Sequence, residues 1–241
     1  GPGLSTVGTP AASRLAVSAA AMLPKASSEA MFGSRIERDK VFSFSSRGGE
    51  IAKPDMLAPG IASASVPRFD HRDIKGGTSM AAPQLAGAHA LLVSAALATK
   101  TKFTGPTLKR ALISSSKLIS GYLPIAQGAG VPNIEQAFKA LKALSKRKEP
   151  FKVAGYAVSA PVPTSDSGFG HAAYWRAGTW LPGPVTGQTF SISALFHDLP
   201  AKKRDGFQTM LRFKSDTPWI TVDRRVGRLI GDNKLSLRVT Y

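Results

Sequence analysis

The 241-residue sequence contains no cysteine, which excludes disulfides, thiolate metal sites and cysteine nucleophiles. Acidic residues are scarce as well: 15 Asp and Glu stand against 32 Lys and Arg, for a net charge of +17. No uninterrupted apolar run reaches the roughly 18–20 residues that cross a bilayer, so no membrane partner is expected. Zinc-finger spacings, a Gly-rich phosphate loop and aromatic RNA motifs are all missing. The positive charge therefore reads as solvated surface, and no nucleic-acid partner is expected. What is present, 43% hydrophobic residues and a mean hydropathy of -0.04, is an ordinary folded composition.

The chain changes character near residue 150. Residues 1–149 are rich in small residues, with short apolar runs broken by Gly and Pro. Residues 15–20 and 56–66 read as short buried strands and their connections. Three helical patterns follow. The first spans about Ser79 to Ala98 and is apolar almost all round, as a buried central helix would be. The second starts after Gly105-Pro106, with Leu108, Ala111, Leu112 and Leu118 on one side. The third runs from about Ile134 to Lys146, with Ile134, Ala137, Phe138, Leu141 and Leu144 at helical spacing. Strands followed by helices predict a layered α/β domain. Residues 150–241 instead alternate with a strand period at Phe190–Phe196, Met210–Phe213 and 235–239, between Pro- and Gly-rich turns. A small β-sandwich-like domain is the natural expectation there.

One short stretch carries chemistry. Gly76-Gly77 allow a tight turn, and Thr78-Ser79 then open the apolar helix. A hydroxyl at that position sits at the positive end of the helix dipole, beside backbone N–H groups that have no helical carbonyl to donate to and can hold an oxyanion. Pro83 is expected to fall early enough for its missing N–H to cost little. Ser79 could equally be a plain helix cap.

The wider wording is more specific. Gly77-Thr78-Ser79-Met80-Ala81-Ala82-Pro83 resembles the nucleophile motif of the subtilisin-like serine proteases. Phe44-Ser45-Ser46-Arg47-Gly48, followed by Lys53-Pro54-Asp55-Met56-Leu57-Ala58-Pro59-Gly60, is similar to the element preceding that motif in the family. Ser5-Thr6-Val7-Gly8-Thr9-Pro10 resembles the stretch after the family's oxyanion Asn. The opening residues lean toward the tripeptidyl-peptidase II-like branch. The resemblance implies a three-layer domain on a parallel sheet and an Asp–His–Ser triad, with Ser79 as nucleophile and its backbone N–H as one oxyanion donor. It also implies that Gly8 lines the base of the pocket for the substrate side chain preceding the cut. A turn requiring positive φ is the other reading of Gly8.

In the family's chain order the Asp, His and Asn motifs come before these stretches. None is present in this sequence. The expectation is therefore the C-terminal part of a catalytic domain, inactive alone, whose partners are the N-terminal half of the same domain and a protein or peptide substrate. His89 lies ten residues beyond Ser79, about 15 Å along a helix, too far to act as its base. His71, His171 and His197 have no motif that would make them one. Asp55 is expected to accept backbone hydrogen bonds. Asp70, Asp73 and Asp166 have no spacing that resembles a calcium loop, and neither metal nor cofactor is expected. An exported location, extracellular or periplasmic, is the first expectation, with the cytoplasm as the alternative. Competing functions are a degenerate fold used as a scaffold and, from charge alone, a polyanion binder.

Overall fold

The computed structural model describes residues 3–49, 51–63, 74–147, 153–164, 168–171, 187–197 and 199–241. His71, Asp70, Asp73 and Asp166 lie outside them. The chain forms two compact units, Gly1–Arg147 and Lys148–Tyr241.

The first unit is built on a short sheet in the order β2-β1-β3, where β1 is Ala19–Leu23, β2 Lys40–Val41 and β3 Met56–Pro59. β1 runs parallel to β3, pairing Ala19 with Met56 through Met22 with Pro59, and antiparallel to β2. Alternation divides the strands between two cores. Ala21, Met56 and Ala58 face a helical layer, while Ala20, Met22, Val41 and Leu57 pack with Ile119, Tyr122 and Val131. A hairpin of β4 (Ile61–Ser63) and β5 (Ile74–Gly76) follows β3.

Helix α1 (Lys25–Phe32) ends at Gly33, whose φ of 63° suits glycine. α2 (Thr78–Ala98) lies on the alanine-rich face of the sheet, where Ala21, Ala81 and Ala96 permit close approach. α3 (Gly105–Ser115) opens with a reciprocal cap: the Thr104 hydroxyl accepts the Thr107 N–H at 3.3 Å and the Thr107 hydroxyl accepts the Thr104 N–H at 2.8 Å. α4 (Pro124–Gln127) is a single turn. α5 (Ile134–Ser145) is capped by Asn133, whose Oδ1 accepts the Gln136 N–H at 2.9 Å. α2, α3 and α5 share one core through Leu85, Leu92, Leu108, Leu112 and Leu141.

Three sequence expectations need correction. The first strand is residues 19–23 rather than 15–20, because the carbonyls of Arg14 and Ala16 and the amide of Ser18 are held by side chains instead of a ladder. Leu118 lies beyond α3 and is exposed. α2 is not buried all round: only Ala81, Leu85, Leu92 and Ala96 are buried, while Leu91 and Leu97 are 62% and 65% exposed. With 21 apolar-rich residues, α2 is also long and apolar enough to cross a membrane by length and composition, although polar residues interrupt its apolar run. The same properties belong to a core helix with one face still uncovered.

The second unit is antiparallel. Its four-stranded sheet has the order β11-β13-β9-β6, with β6 at Val153–Ser159, β9 at Gly187–Phe196, β11 at Thr221–Val222 and β13 at Leu235–Thr240. β7 (Pro161–Thr164) pairs with β8 (Gly168–His171), and β10 (Gln208–Arg212) with β12 (Val226–Ile230). Val153, Ile192, Phe207, Leu229 and Leu237 are buried, and Phe196 meets Phe207 edge-on at 5.2 Å.

Candidate active site

The segment singled out by sequence is a turn suspended from the sheet. Gly60 follows β3, donates its N–H to Met22 O at 2.7 Å and accepts the Gly77 N–H at 2.7 Å. It thus links β1 directly to the start of α2. A side chain cannot be accommodated here, because a Cβ on Gly60 would lie 2.6 Å from Ala21 Cβ and 3.2 Å from Ala21 Cα. The β4–β5 hairpin ends in register, Ile61 opposite Gly76, and delivers the chain to Gly77.

Gly77 occupies the cap position of α2 with no side-chain cap. Its carbonyl accepts the N–H groups of Met80 (3.0 Å) and Ala81 (3.3 Å). Among the described residues, the N–H groups of Thr78 and Ser79 and the Ser79 hydroxyl have no partner, and Ser79 is exposed. No acidic side chain occupies the first turn. The result is a hydroxyl and free N–H donors at the positive end of a 21-residue helix, an arrangement suited to holding developing negative charge. The cap reading of Ser79 fails, since its side chain caps nothing. Pro83 is the sixth residue of the helix, deeper than expected. Its missing N–H deprives the Ser79 carbonyl of its i+4 donor, so the backbone around Ser79 is less tied to the helix than in an ordinary first turn.

Gly8 lies on an exposed stretch between two anchors. At one end, Ser5 and Thr6 donate their N–H groups to Gly48 O (2.9 Å) and Arg47 O (3.0 Å), and the Thr6 hydroxyl accepts the Arg47 N–H at 3.0 Å. Gly8 itself is not in the positive-φ region, so the turn reading does not explain it, and a Cβ placed on it would meet nothing within 4 Å.

Among the described residues of the first unit, His89 is the only histidine, and it bonds within its own helix. His89 Nδ1 donates to Leu85 O on its own helix at 2.8 Å, and its Nε2 is buried without a hydrogen-bond partner among the described residues. His197 belongs to the second unit, and nothing is described of the His71 backbone or the His171 side chain. Asp55 does accept a backbone N–H, from Ser18 at 2.7 Å, but sequence reasoning missed its other partners. Its carboxylate also meets Lys53 Nζ at 2.7 Å and Lys109 Nζ at 2.9 Å. Burial lowers the Lys109 pKa, with Asp55 pulling the other way. The Lys53-Pro54-Asp55 wording hinted at one member of this cluster. Lys109, 54 residues away from Asp55, carried no signal.

A groove of about 730 Å³ runs along the exposed side of α2. Leu57, Pro59, Gly87, Leu91, Val131 and Ile134 are among its walls, which are almost wholly apolar.

Comparison with known proteins places these features. The model of the subtilase family matches residues 1–150. Tripeptidyl-peptidase 2 of Drosophila melanogaster is 37% identical over 153 residues, 58% of this chain and 10% of that protein. Tripeptidyl-peptidase 2 of Caenorhabditis elegans is 26% identical over 236 residues, 92% of this chain and 16% of that protein. The chain thus spans a small part of the curated relatives it matches. The crystal structure of tripeptidyl peptidase 2 superposes over 100% of this chain and 18% of its own, with a TM-score of 0.66 at 23% identity, which establishes the subtilisin-like fold. Motif order, layered architecture and family match together make this chain a member of the subtilase family.

Proposed function

We propose that residues 1–149 are the C-terminal portion of a subtilase catalytic domain, that residues 150–241 are a β-sandwich-like domain attached to it, and that the complete protein is a serine peptidase acting through Ser79. The Ser79 oxygen attacks the scissile carbonyl carbon and passes its proton to an upstream histidine, itself oriented by an upstream aspartate. The tetrahedral oxyanion is held by the Ser79 N–H and an upstream asparagine amide. Collapse breaks the C–N bond, the histidine returns the proton to the leaving amine, and water releases the acyl group from Ser79. Gly8 leaves depth for the side chain preceding the cut.

The observation that carries this reading is the exposed, uncapped start of α2, where Ser79 has a free hydroxyl and a free N–H among the described residues. The upstream half of the domain is the partner that covers the apolar groove and the bare face of α2. Without it the chain keeps a nucleophile and lacks a base, so it is inactive alone. Likeness to tripeptidyl-peptidase 2 favours release of tripeptides from free N-termini over internal cleavage, and favours the cytoplasm over export.

The test compares the protein carrying the complete domain with its Ser79→Ala variant, on peptides with free and with blocked N-termini. Removal of a subtilisin nucleophile lowers kcat about a millionfold, and a loss on that scale is expected. Tripeptides released only from free N-termini support the exopeptidase reading. Undiminished hydrolysis by Ser79→Ala overturns the assignment and leaves the scaffold reading.

A further inference from the structure

The stretch from residue 14 to residue 18 enters β1 without a strand partner of its own. Its polar backbone atoms are instead held by charged side chains. Lys109 Nζ donates to Arg14 O at 3.1 Å and to Ala16 O at 2.8 Å. Lys53 Nζ donates to Ala16 O at 2.9 Å, and Asp55 accepts the Ser18 N–H at 2.7 Å while pairing with both lysines. The backbone ties only the last residue, where Ser18 O accepts the Asp55 N–H at 2.9 Å and the Met56 N–H at 3.3 Å. The Lys53 and Asp55 side chains are 5% and 9% exposed and that of Lys109 17%, so the cluster is largely dry.

Two cations and one anion in a buried position are an expensive way to secure a loop, since apolar packing would stabilise as well or better. What the cluster does supply is directional fixing of two carbonyls and one amide along five residues. The same chain segment is fixed at its other end, where Ser5 and Thr6 pair with Gly48 and Arg47. Between the anchors, the backbone hydrogen bonds among the described residues are local turns, Ala12 N–H to Gly8 O and Ser13 N–H to Pro10 O, each at 3.0 Å. The position of Gly8 is therefore set by the two ends of the strap.

We infer that Lys53, Asp55 and Lys109 form an ionic clamp that positions the Gly8 stretch, making them positioning residues for the pocket that receives the substrate side chain before the cut. This rests on the peptidase reading given above. None of the three touches substrate; they act through the carbonyls of Arg14 and Ala16 and the amide of Ser18. Lys109 is the informative member because it comes from α3 and ties a helix to the strap across the sequence. Lys53 continues to hold Ala16 O when Lys109 is removed, so the strap loosens without being cut free.

The experiment uses Lys109→Met and Lys109→Gln in the protein carrying the complete domain. Steady-state kinetics are taken on peptides differing only in the residue before the cut, from small to large and apolar. A misplacement of about 1 Å can cost on the order of a hundredfold, and loosening one of two anchors is expected to lower kcat/KM about tenfold for large residues, through KM, with little change for small ones. A uniform fall in kcat across the series, tracking a lower melting temperature, would show a merely structural role and overturn the inference. Hydrogen exchange on the 241-residue chain supplies a second readout that needs no activity. Amides of residues 8–18 should exchange faster in the variants while α5 is unchanged; unaltered exchange there also overturns the inference. An inactive wild type with a loosened strap would refute the peptidase reading and leave the clamp standing as a structural device.

Discussion

Gly60→Ala probes the joint between the sheet and the candidate nucleophile. The added Cβ would lie 2.6 Å from Ala21 Cβ, against an optimum of about 3.5–4.0 Å, so about 1 Å of movement is needed. Ala21 Cα at 3.2 Å and the Phe42 ring at 3.2 Å prevent a cheap escape, because the obstacle is the middle strand of the sheet rather than the tip of a flexible side chain. Overpacking of this kind costs about 1–3 kcal/mol. The same shift strains the 2.7 Å bonds from Gly60 to Met22 and Gly77, each worth about 1 kcal/mol. A loss of about 2–3 kcal/mol should lower the urea midpoint by roughly 1 M. Because Gly77 hangs from Gly60, the movement also reaches Ser79, and fluorophosphonate labelling of Ser79 in the complete domain should slow by up to about a hundredfold. Urea titration of the chain and a labelling time course measure the two effects. A wild-type midpoint together with a wild-type rate would refute the joint described here.

Gly87→Ala makes the opposite change: a Cβ there meets nothing within 4 Å, so the helix should gain about 0.4–1 kcal/mol in the isolated chain, read as a higher urea midpoint. Because Gly87 lines the groove, the same variant should bind the upstream half less well, which a titration of the two halves would reveal. Thr104→Ala removes one side of the α3 cap and should cost about 1 kcal/mol, measured the same way. Lys109 sets a pH dependence. Its pKa is lowered from 10.5 by burial, so the folded chain binds fewer protons than the unfolded one between the lowered value and 10.5. Stability from this group therefore rises with pH across that window, and below it the cost of burying the charge is present in full. The midpoint difference between wild type and Lys109→Met should grow in favour of the wild type from neutral pH towards about pH 10.

Residues that obey local rules were legible in the sequence. α3 and α5 follow from the Gly105-Pro106 start and from apolar spacing, and β9, β10 and β13 from alternation, while the Thr104 and Asn133 caps emerged only from the structure. α1 was not, because Lys25–Phe32 has no apolar stripe and its one buried residue is Ser28, held by Ser34 O at 2.9 Å. The displaced start of β1 has a long-range cause: residues 14–18 look like strand, yet Lys109 and Lys53 claim their carbonyls. Buried Gln127 is a similar case, satisfied by the backbone of Ile119 and Tyr122. The half-bare face of α2 was hidden for a different reason. An all-round apolar pattern says that a helix wants to be covered, not whether its cover belongs to the same stretch of chain. At the site, the motif located Ser79, while the free donors beside it became visible only from the cap geometry and from Gly60.

As proposed, Ser79 is a nucleophile whose catalytic partners come from outside these residues. Reaction with a fluorophosphonate, followed by mapping of the modified residue, tests this directly. Rapid labelling confined to Ser79 is predicted in the complete domain, and negligible labelling in the 241-residue chain alone. A chain that labels and turns over peptides by itself, or a complete domain in which Ser79 stays unmodified, would contradict it.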